Sequence, residues 1–294
     1  MNPALPFEKV AIRGVGLLGG SIGLALRRAE FDGPIVGLGR RAVSLEAAIA
    51  AGTIDRGFLD VAPALEGADL VVLAGPVGTF ADLMAAAAGH LSPAALVTDV
   101  GSTKAQVVRW ANRLLPAPGR FVGAHPIAGS EKRGPQFARA DLFDGACCVL
   151  TPTARTDPAA LARATRLWEA LGMRTVMMSP PTHDRVLARV SHLPHAVAAA
   201  LMRLADRPLQ DLAGPGFVDM TRLAGGDPEL WRDIFLTNRP ATQAAIARLI
   251  RELERFSRLL ARGDGAVLRQ YLADAQQQRQ AMIGLKLRGD FFEG

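Results

Sequence analysis

Gly14-Val15-Gly16-Leu17-Leu18-Gly19 is a glycine-spaced turn between a predicted strand and a predicted helix. Gly14 permits the tight turn, Gly16 lets the backbone approach a pyrophosphate, and Gly19 lets the helix pack closely on the strand. The helix that follows presents its free N–H groups and partial positive charge to the phosphates, and Leu17 and Leu18 of the turn are expected at the cofactor. A dinucleotide site of this kind usually carries an acid about 20 residues further on, at the end of the second strand, for the ribose 2′-hydroxyl. Here that stretch reads Val36-Gly37-Leu38-Gly39-Arg40-Arg41-Ala42-Val43-Ser44. The acid is absent, Gly39 stands at its place, and Arg40, Arg41 and Ser44 follow. A carboxylate repels a 2′-phosphate, whereas a guanidinium binds one through two parallel hydrogen bonds. The pattern predicts NADP in preference to NAD; the alternative is a solvated strand end that serves both.

Three more segments fall at strand ends, where the active site of such a fold belongs. Gly75-Pro76-Val77 is a turn along the cofactor. Asp99-Val100-Gly101-Ser102-Thr103-Lys104 and Gly123-Ala124-His125-Pro126-Ile127-Ala128-Gly129-Ser130-Glu131 follow the next two strands. Of these, Asp99 and Gly101 are expected beside the cofactor. A fourth segment, Ser191-His192-Leu193-Pro194-His195, lies in a predicted helix. His192 and His195 share a helix face, but zinc would need further ligands and the Glu of an HExxH-type motif is missing. Pro194 marks a kink or an irregular start. Cys147 and Cys148 are neighbours on a strand, point to opposite faces and read as small buried residues rather than a bridge or a metal site.

The elements that must position these residues change character along the chain. Val10–Arg13, Ile35–Leu38, Leu70–Ala74, Leu96–Val100, Phe121–Ala124, Ala146–Leu150 and Thr175–Met178 read as strands. Leu18–Ala29, Ser44–Ala51, Thr79–Ala88, Lys104–Leu115 and Pro158–Leu171 read as helices between them. Such alternation predicts an α/β, Rossmann-type, doubly wound and largely parallel sheet over residues 1–178. After Ser179-Pro180-Pro181-Thr182 the strand signals stop. His183–Ala205, Glu229–Phe235, Arg239–Arg262 and Gly265–Met282 have helical length and spacing, with breaks at Gly214-Pro215-Gly216 and Gly225-Gly226-Asp227-Pro228. Residues 179–294 are therefore expected to form an all-helical domain. The long apolar faces of its last two helices predict a homodimer through that domain.

The formal net charge is +6, but the arginines are scattered and often flanked by acids, as in Arg251-Glu252-Leu253-Glu254-Arg255. Lys/Arg blocks interleaved with aromatics are missing, so no nucleic acid is expected as partner. Neither a signal peptide nor a long unbroken apolar run is read, so no membrane partner is expected and a cytoplasmic enzyme is.

Taken together, the chain resembles the prephenate/arogenate (cyclohexadienyl) dehydrogenases over about Val10 to Leu236. The resemblance is carried by the Gly-Leu-Leu-Gly-Gly-Ser turn, Asp-Val-Gly-Ser, His-Pro-Ile-Ala-Gly-Ser-Glu, Ser-His-Leu-Pro-His, and Asp227-Pro228-Glu229-Leu230-Trp231-Arg232-Asp233. It implies hydride transfer from a ring carbinol to a nicotinamide with loss of carbon dioxide, in tyrosine biosynthesis. It also implies His125 as the catalytic histidine, where neutral imidazole suits a base near neutral pH, with Ser102 helping to orient it. His195, Arg222, Glu131, Asp219 and Trp231 match residues of the substrate pocket, Arg222 as a carboxylate-binding guanidinium. The small-molecule substrate is prephenate or arogenate; no acid is identified that would bind the ammonium of arogenate. Neither a chorismate mutase segment before the Rossmann domain nor a regulatory domain after the helices is expected. Other NADP-dependent dehydrogenases of the β-hydroxyacid or imine reductase type, and a non-catalytic NADP sensor, are the rival readings. The former would be expected to carry a catalytic Lys or Asp in the long interdomain helix rather than His125 and Ser102, and the sensor has no need of His125, Ser102 and Arg222 together.

Overall fold

The computed structural model describes residues 5–129, 132, 134–206 and 210–288. Eight strands form one sheet: β1 (Val10–Arg13), β2 (Ile35–Leu38), β3 (Arg56–Phe58), β4 (Leu70–Leu73), β5 (Leu96–Asp99), β6 (Phe121–Pro126), β7 (Cys147–Thr151) and β8 (Arg174–Met177). Their order is β3-β2-β1-β4-β5-β6-β7-β8. The first six run parallel, while β7 is antiparallel to β6 and β8 parallel to β7. The order reverses between β1 and β4, and the crevice outside the strand C-termini at such a reversal is where a dinucleotide binds. Arg13 stands level with both Leu38 and Leu73, and Leu73 with Asp99. That register brings the glycine turn, Gly39 and the turn after β4 to one edge.

The helices of the alternating part are α1 (Leu17–Arg28), α2 (Ala42–Ala50), α3 (Val61–Leu65), α4 (Phe80–Ala87), α5 (Ala105–Leu114) and α6 (Pro158–Ala170). Strand residues alternate between two buried layers. Val10, Ile12, Leu70, Val72 and Leu96 pack with Ile22, Leu26, Leu167 and Trp168 on one face. Ala11, Val71, Leu73 and Val97 pack with Phe80, Met84 and Val107 on the other. The sequence reading passed over β3, which has three residues and opens on an exposed arginine, too little apolar surface to register as a strand.

Beyond β8 every described element is helical: α7 (Pro180–Leu187), α8 (Leu193–Leu204), α9 (Pro215–Thr221), α10 (Pro228–Thr237), α11 (Arg239–Arg262) and α12 (Gly265–Arg288). The single helix expected over His183–Ala205 is α7 and α8 joined by a π-helical turn, Ala188–His192. Pro194 has no N–H to continue the ladder, and the wider turn before it absorbs the break. Gly214-Pro215-Gly216, read as a loop, starts α9 with proline in its first turn, where the missing N–H costs nothing.

Residues 1–242 form one compact unit and 243–294 a second. The chain becomes helical at 179, yet compactness divides it later, because Ile234 of α10 is buried in the second layer of the sheet domain. Within the second unit, Phe256 and Tyr271 rings lie 5.4 Å apart and the Tyr271 hydroxyl donates to Glu252 Oε1 at 3.0 Å.

Candidate active site

The glycine turn has the geometry of a phosphate cradle. Gly14 adopts φ +100°, and a Cβ there would stand 2.8 Å from the Gly75 nitrogen. A Cβ on Gly19 would collide with the Gly14 carbonyl oxygen, so helix and turn are in backbone contact. Gly16, the N-cap of α1, has open space where a side chain would be. No side chain caps this helix and no acid lies in its first turn. The first N–H groups and the partial positive charge are thus presented to a phosphate group. Leu17 and Leu18 open the helix and are partly exposed. Gly39 is buried on Leu45, while Arg40 and Arg41 are exposed, form no ion pair among the described residues, and stand beside partly exposed Ser44. Arg13, which the sequence reading did not single out, joins them. Its Nη1 donates to the Leu38 carbonyl at 3.1 Å, and burial, then the nearby Arg40 charge, lower its pKa. A nicotinamide dinucleotide fits this donor set.

The five residues expected along the cofactor after β4 and β5 behave differently from one another. Gly75 and Pro76 are at least partly exposed at the crevice. Val77 is instead buried in the second apolar layer. Asp99 is fully buried, and its carboxylate is engaged by Lys104 Nζ, by Gly101 N–H at 2.8 Å and by Ala124 N–H at 3.1 Å. Gly101 is buried with its N–H spent on that bond. The Val77 and Asp99 side chains and the Gly101 N–H are therefore engaged within the fold. Burial pushes the Asp99 carboxyl up and the Lys104 ammonium down, each offset in part by the other. Lys104 Nζ also donates to the Ala124 carbonyl at 2.6 Å. The pair ties the loop after β5 to the strand residue next to His125.

His125 lies on β6 opposite Val149 and is partly exposed. Its ring is held by His183, not by Ser102. His125 Nδ1 and His183 Nε2 are 2.8 Å apart, and His183 Nδ1 is 2.8 Å from Asp184 Oδ1. The Asp184 carboxylate also accepts from the N–H groups of Lys104 at 2.8 Å and Ala105 at 2.9 Å, at the start of α5. Ser102, expected to orient His125, is partly exposed one residue past Gly101 and makes no hydrogen bond with the ring. The pKa of His125 is held well below 6.5, first by burial and then by the charges of His183, Lys104 and His192. That of His183 is lowered by burial against the pull of Asp184. Both imidazoles are therefore neutral at neutral pH, the form a base requires. The sequence gives little sign of His183 and Asp184, since they sit at a helix start with no motif spacing to any strand end.

His195, on α8, stacks on Trp231 of α10, with ring centroids 3.2 Å apart and planes at 23°. His192 stands edge-on to the same ring at 6.1 Å, and its Nδ1 accepts from the Asn238 amide at 3.1 Å. Asn238 in turn donates to the Asp184 carbonyl at 2.8 Å, joining the aromatic cluster to the His125 line. Arg222 is exposed, and its charge, after burial, lowers the pKa of His195. Asp219 is exposed on α9. The structure thus brings His195, Trp231 and Arg222 together; it draws no bond from Asp219 to them. Glu131 lies outside the described residues.

The family model "prephenate dehydrogenase, nucleotide-binding domain" matches residues 22–177, and "prephenate dehydrogenase, dimerization domain" matches residues 179–274. A prephenate dehydrogenase of Bacillus subtilis is 35% identical over 96% of this chain and 77% of its own length. A cyclohexadienyl dehydrogenase of Zymomonas mobilis is 33% identical over 94% of this chain and 96% of its own. A solved prephenate dehydrogenase of Aquifex aeolicus, in complex with hydroxyphenyl propionate and NAD+, superposes with a TM-score of 0.89 at 38% identity. It covers 94% of this chain and 98% of its own. Two domain matches and full-length relatives of this kind place the chain in the prephenate/arogenate dehydrogenase family of oxidoreductases.

Proposed function

We propose that this chain oxidatively decarboxylates prephenate, arogenate or both, with NADP preferred over NAD. The observation that carries the reading is His125 at the end of β6, neutral and held by His183, in the same compact unit as the open glycine turn. A bound nicotinamide supplies the hydride acceptor. His125 Nε2 takes the proton of the ring hydroxyl as hydride leaves the same carbon. The ring C–CO2 bond then breaks, its electron pair completes the aromatic ring, and His125 returns the proton to the ring oxygen. Ser102, two residues before the lysine that holds the Ala124 carbonyl, would contact the hydroxyl region.

His195, Trp231 and Arg222 would hold the substrate, with Glu131 and Asp219 at its rim. Arg222 suits the side-chain carboxylate, because a tight ion pair on the ring carboxylate would favour the ground state over decarboxylation. Gly14, Gly16, Leu17, Leu18, Gly19, Gly75 and Pro76 would cradle the dinucleotide, and Arg40, Arg41 and Ser44 the 2′-phosphate. Two copies would pair through the helical part, where Leu253, Leu260, Val267 and Leu272 are exposed. Free cysteines suit a cytoplasmic setting, and among the described residues no helix is long and apolar enough to cross a membrane.

The test is a panel of both substrates against both cofactors, read by nicotinamide absorbance, with His125→Asn as control. Turnover with at least one substrate, a higher kcat/KM for NADP, and a kcat loss in His125→Asn far above any rise in KM are expected. Near-normal turnover of His125→Asn would remove the base assignment; a clear NAD preference would remove the cofactor assignment.

A further inference from the structure

We propose that His183 and Asp184 set the tautomer of His125 and take up the charge of the proton it removes, a relay that rests on His125 being the base. The hydrogen bonds allow one arrangement. A carboxylate only accepts, and Asp184 already accepts from the Lys104 and Ala105 N–H groups. The short contact to its Oδ1 therefore makes His183 Nδ1 the donor. In neutral His183 the other nitrogen, Nε2, is then an acceptor, so His125 Nδ1 must carry the proton that joins the two rings. The remaining nitrogen of His125, Nε2, is left with a bare lone pair, the form needed to accept a hydroxyl proton. With the opposite tautomer, His125 would present an N–H to the substrate and could not act as its base.

The same line can move charge. When His125 Nε2 accepts the hydroxyl proton, its Nδ1 proton passes across 2.8 Å to His183 Nε2. His125 becomes neutral again, and the imidazolium resides on His183 against the Asp184 carboxylate. The steps reverse when the aromatic ring oxygen takes its proton back, so no net proton is consumed. His183 is fully buried and Asp184 is 4% exposed, so water does not compete for these bonds. The other charged or titratable groups acting on the two rings are Lys104, Asp99 and His192, with Cys148 bonded behind the His125 backbone. None of these reaches His125 Nδ1. His183 acts on the His125 ring and Asp184 acts through His183, so both are positioning residues.

The experiment combines kinetics of the full chain with 15N spectroscopy of labelled histidines. In Asp184→Asn, the carboxylate that balances the relayed charge becomes a neutral amide; kcat should fall roughly 10²- to 10⁴-fold, with KM within about threefold. His183→Leu should lose as much. His183→Gln, whose amide oxygen still accepts from His125 but cannot take a proton, should recover most of that loss and remain about tenfold below wild type. In the wild-type chain above pH 7, the His125 signal, assigned by its disappearance in His125→Asn, should show Nδ1 protonated and Nε2 bare. Kinetics within threefold of wild type for both Asp184→Asn and His183→Leu, or a His125 ring protonated at Nε2, would overturn the relay. If His125→Asn is inactive while those variants are not, the base assignment stands and only the relay falls. If a variant fails to fold, the wild-type ring signals still decide.

Discussion

The His195 ring lies flat on Trp231, and Gly226 is the backbone against which both rest. A Cβ on Gly226 would stand 2.7 Å from Trp231 Nε1 and 3.2 Å from His195 Nε2. Two helices, α8 and α10, are thereby joined through one pair of rings beside exposed Arg222. A stacked aromatic pair contributes about 0.5–1.5 kcal/mol beyond its area. Trp231→Leu is expected to raise KM for the substrate about tenfold while kcat stays within threefold, and Gly226→Ala should follow it more weakly. A fall in kcat with KM unchanged would show that the stack serves the chemical step rather than binding.

Arg40 and Arg41 have no acidic partner among the described residues, and Arg40 already depresses the half-buried Arg13 guanidinium. Among the described residues these three cations form no ion pair, which suits the 2′-phosphate proposed for this place. Charged hydrogen bonds are worth roughly 1.5–3 kcal/mol, so Arg40→Asp combined with Arg41→Ala should lower the NADP-to-NAD ratio of kcat/KM about 10- to 100-fold. Arg13→Met should lower it less, since Arg13 is tied to the Leu38 carbonyl. Steady-state rates with each cofactor measure the ratio; an unchanged value in the double variant would place the 2′ end of the cofactor elsewhere.

The cofactor half was the more legible in sequence, because a Rossmann turn packs its determinants into consecutive residues. Gly14 and Gly19 have the expected tight turn and close packing, Gly16 stands at the helix start with open space around it, and β1 and β2 begin and end where alternation put them. What escaped was tertiary. Asp99 and Val77 looked available at strand ends, but one is neutralised by a lysine five residues on and the other is part of the core. His183 reaches His125 across 58 residues, and the antiparallel β7 reverses the sheet beside it. Neither relationship leaves a spacing in the chain. The adjacent His-Asp pair acquires its role from the packing of α7 against the start of α5.

The Asp99–Lys104 pair has both side chains at 0% exposure. Such a pair contributes little against an apolar replacement, yet removing one partner strands the other and costs about 3–5 kcal/mol. Lys104→Met should therefore lower the unfolding free energy by that amount, seen as a lower urea midpoint at unchanged slope. Because Lys104 also holds the Ala124 carbonyl, the variant should lose kcat as the His125 strand loosens. Asp99→Leu added to Lys104→Met should restore part of the stability. A single variant as stable as the wild type would mean the carboxyl is already neutral and the ammonium dispensable.

Acid should unfold the protein through its histidines before its carboxylates. His192 is 1% exposed and its pKa is lowered from 6.5 to about 4, chiefly by burial. Its Nδ1 is spent on Asn238, and its Nε2 has no hydrogen-bond partner. Below pH 6.5 the unfolded chain takes up a proton that the folded chain refuses, so stability falls as pH falls, and the loss is complete near pH 4. Over that window one such group removes about 3 kcal/mol. His125, His183 and His195, also lowered by burial, act with the same sign. His192→Gln keeps an acceptor for Asn238 and removes the titration. Between about pH 7 and pH 4.5 it should lose roughly 2–3 kcal/mol less than the wild type in urea titrations, even if it starts lower at neutral pH. Parallel stability curves for the two proteins would show that His192 is already protonated in the fold, and that the acid limit lies with other groups.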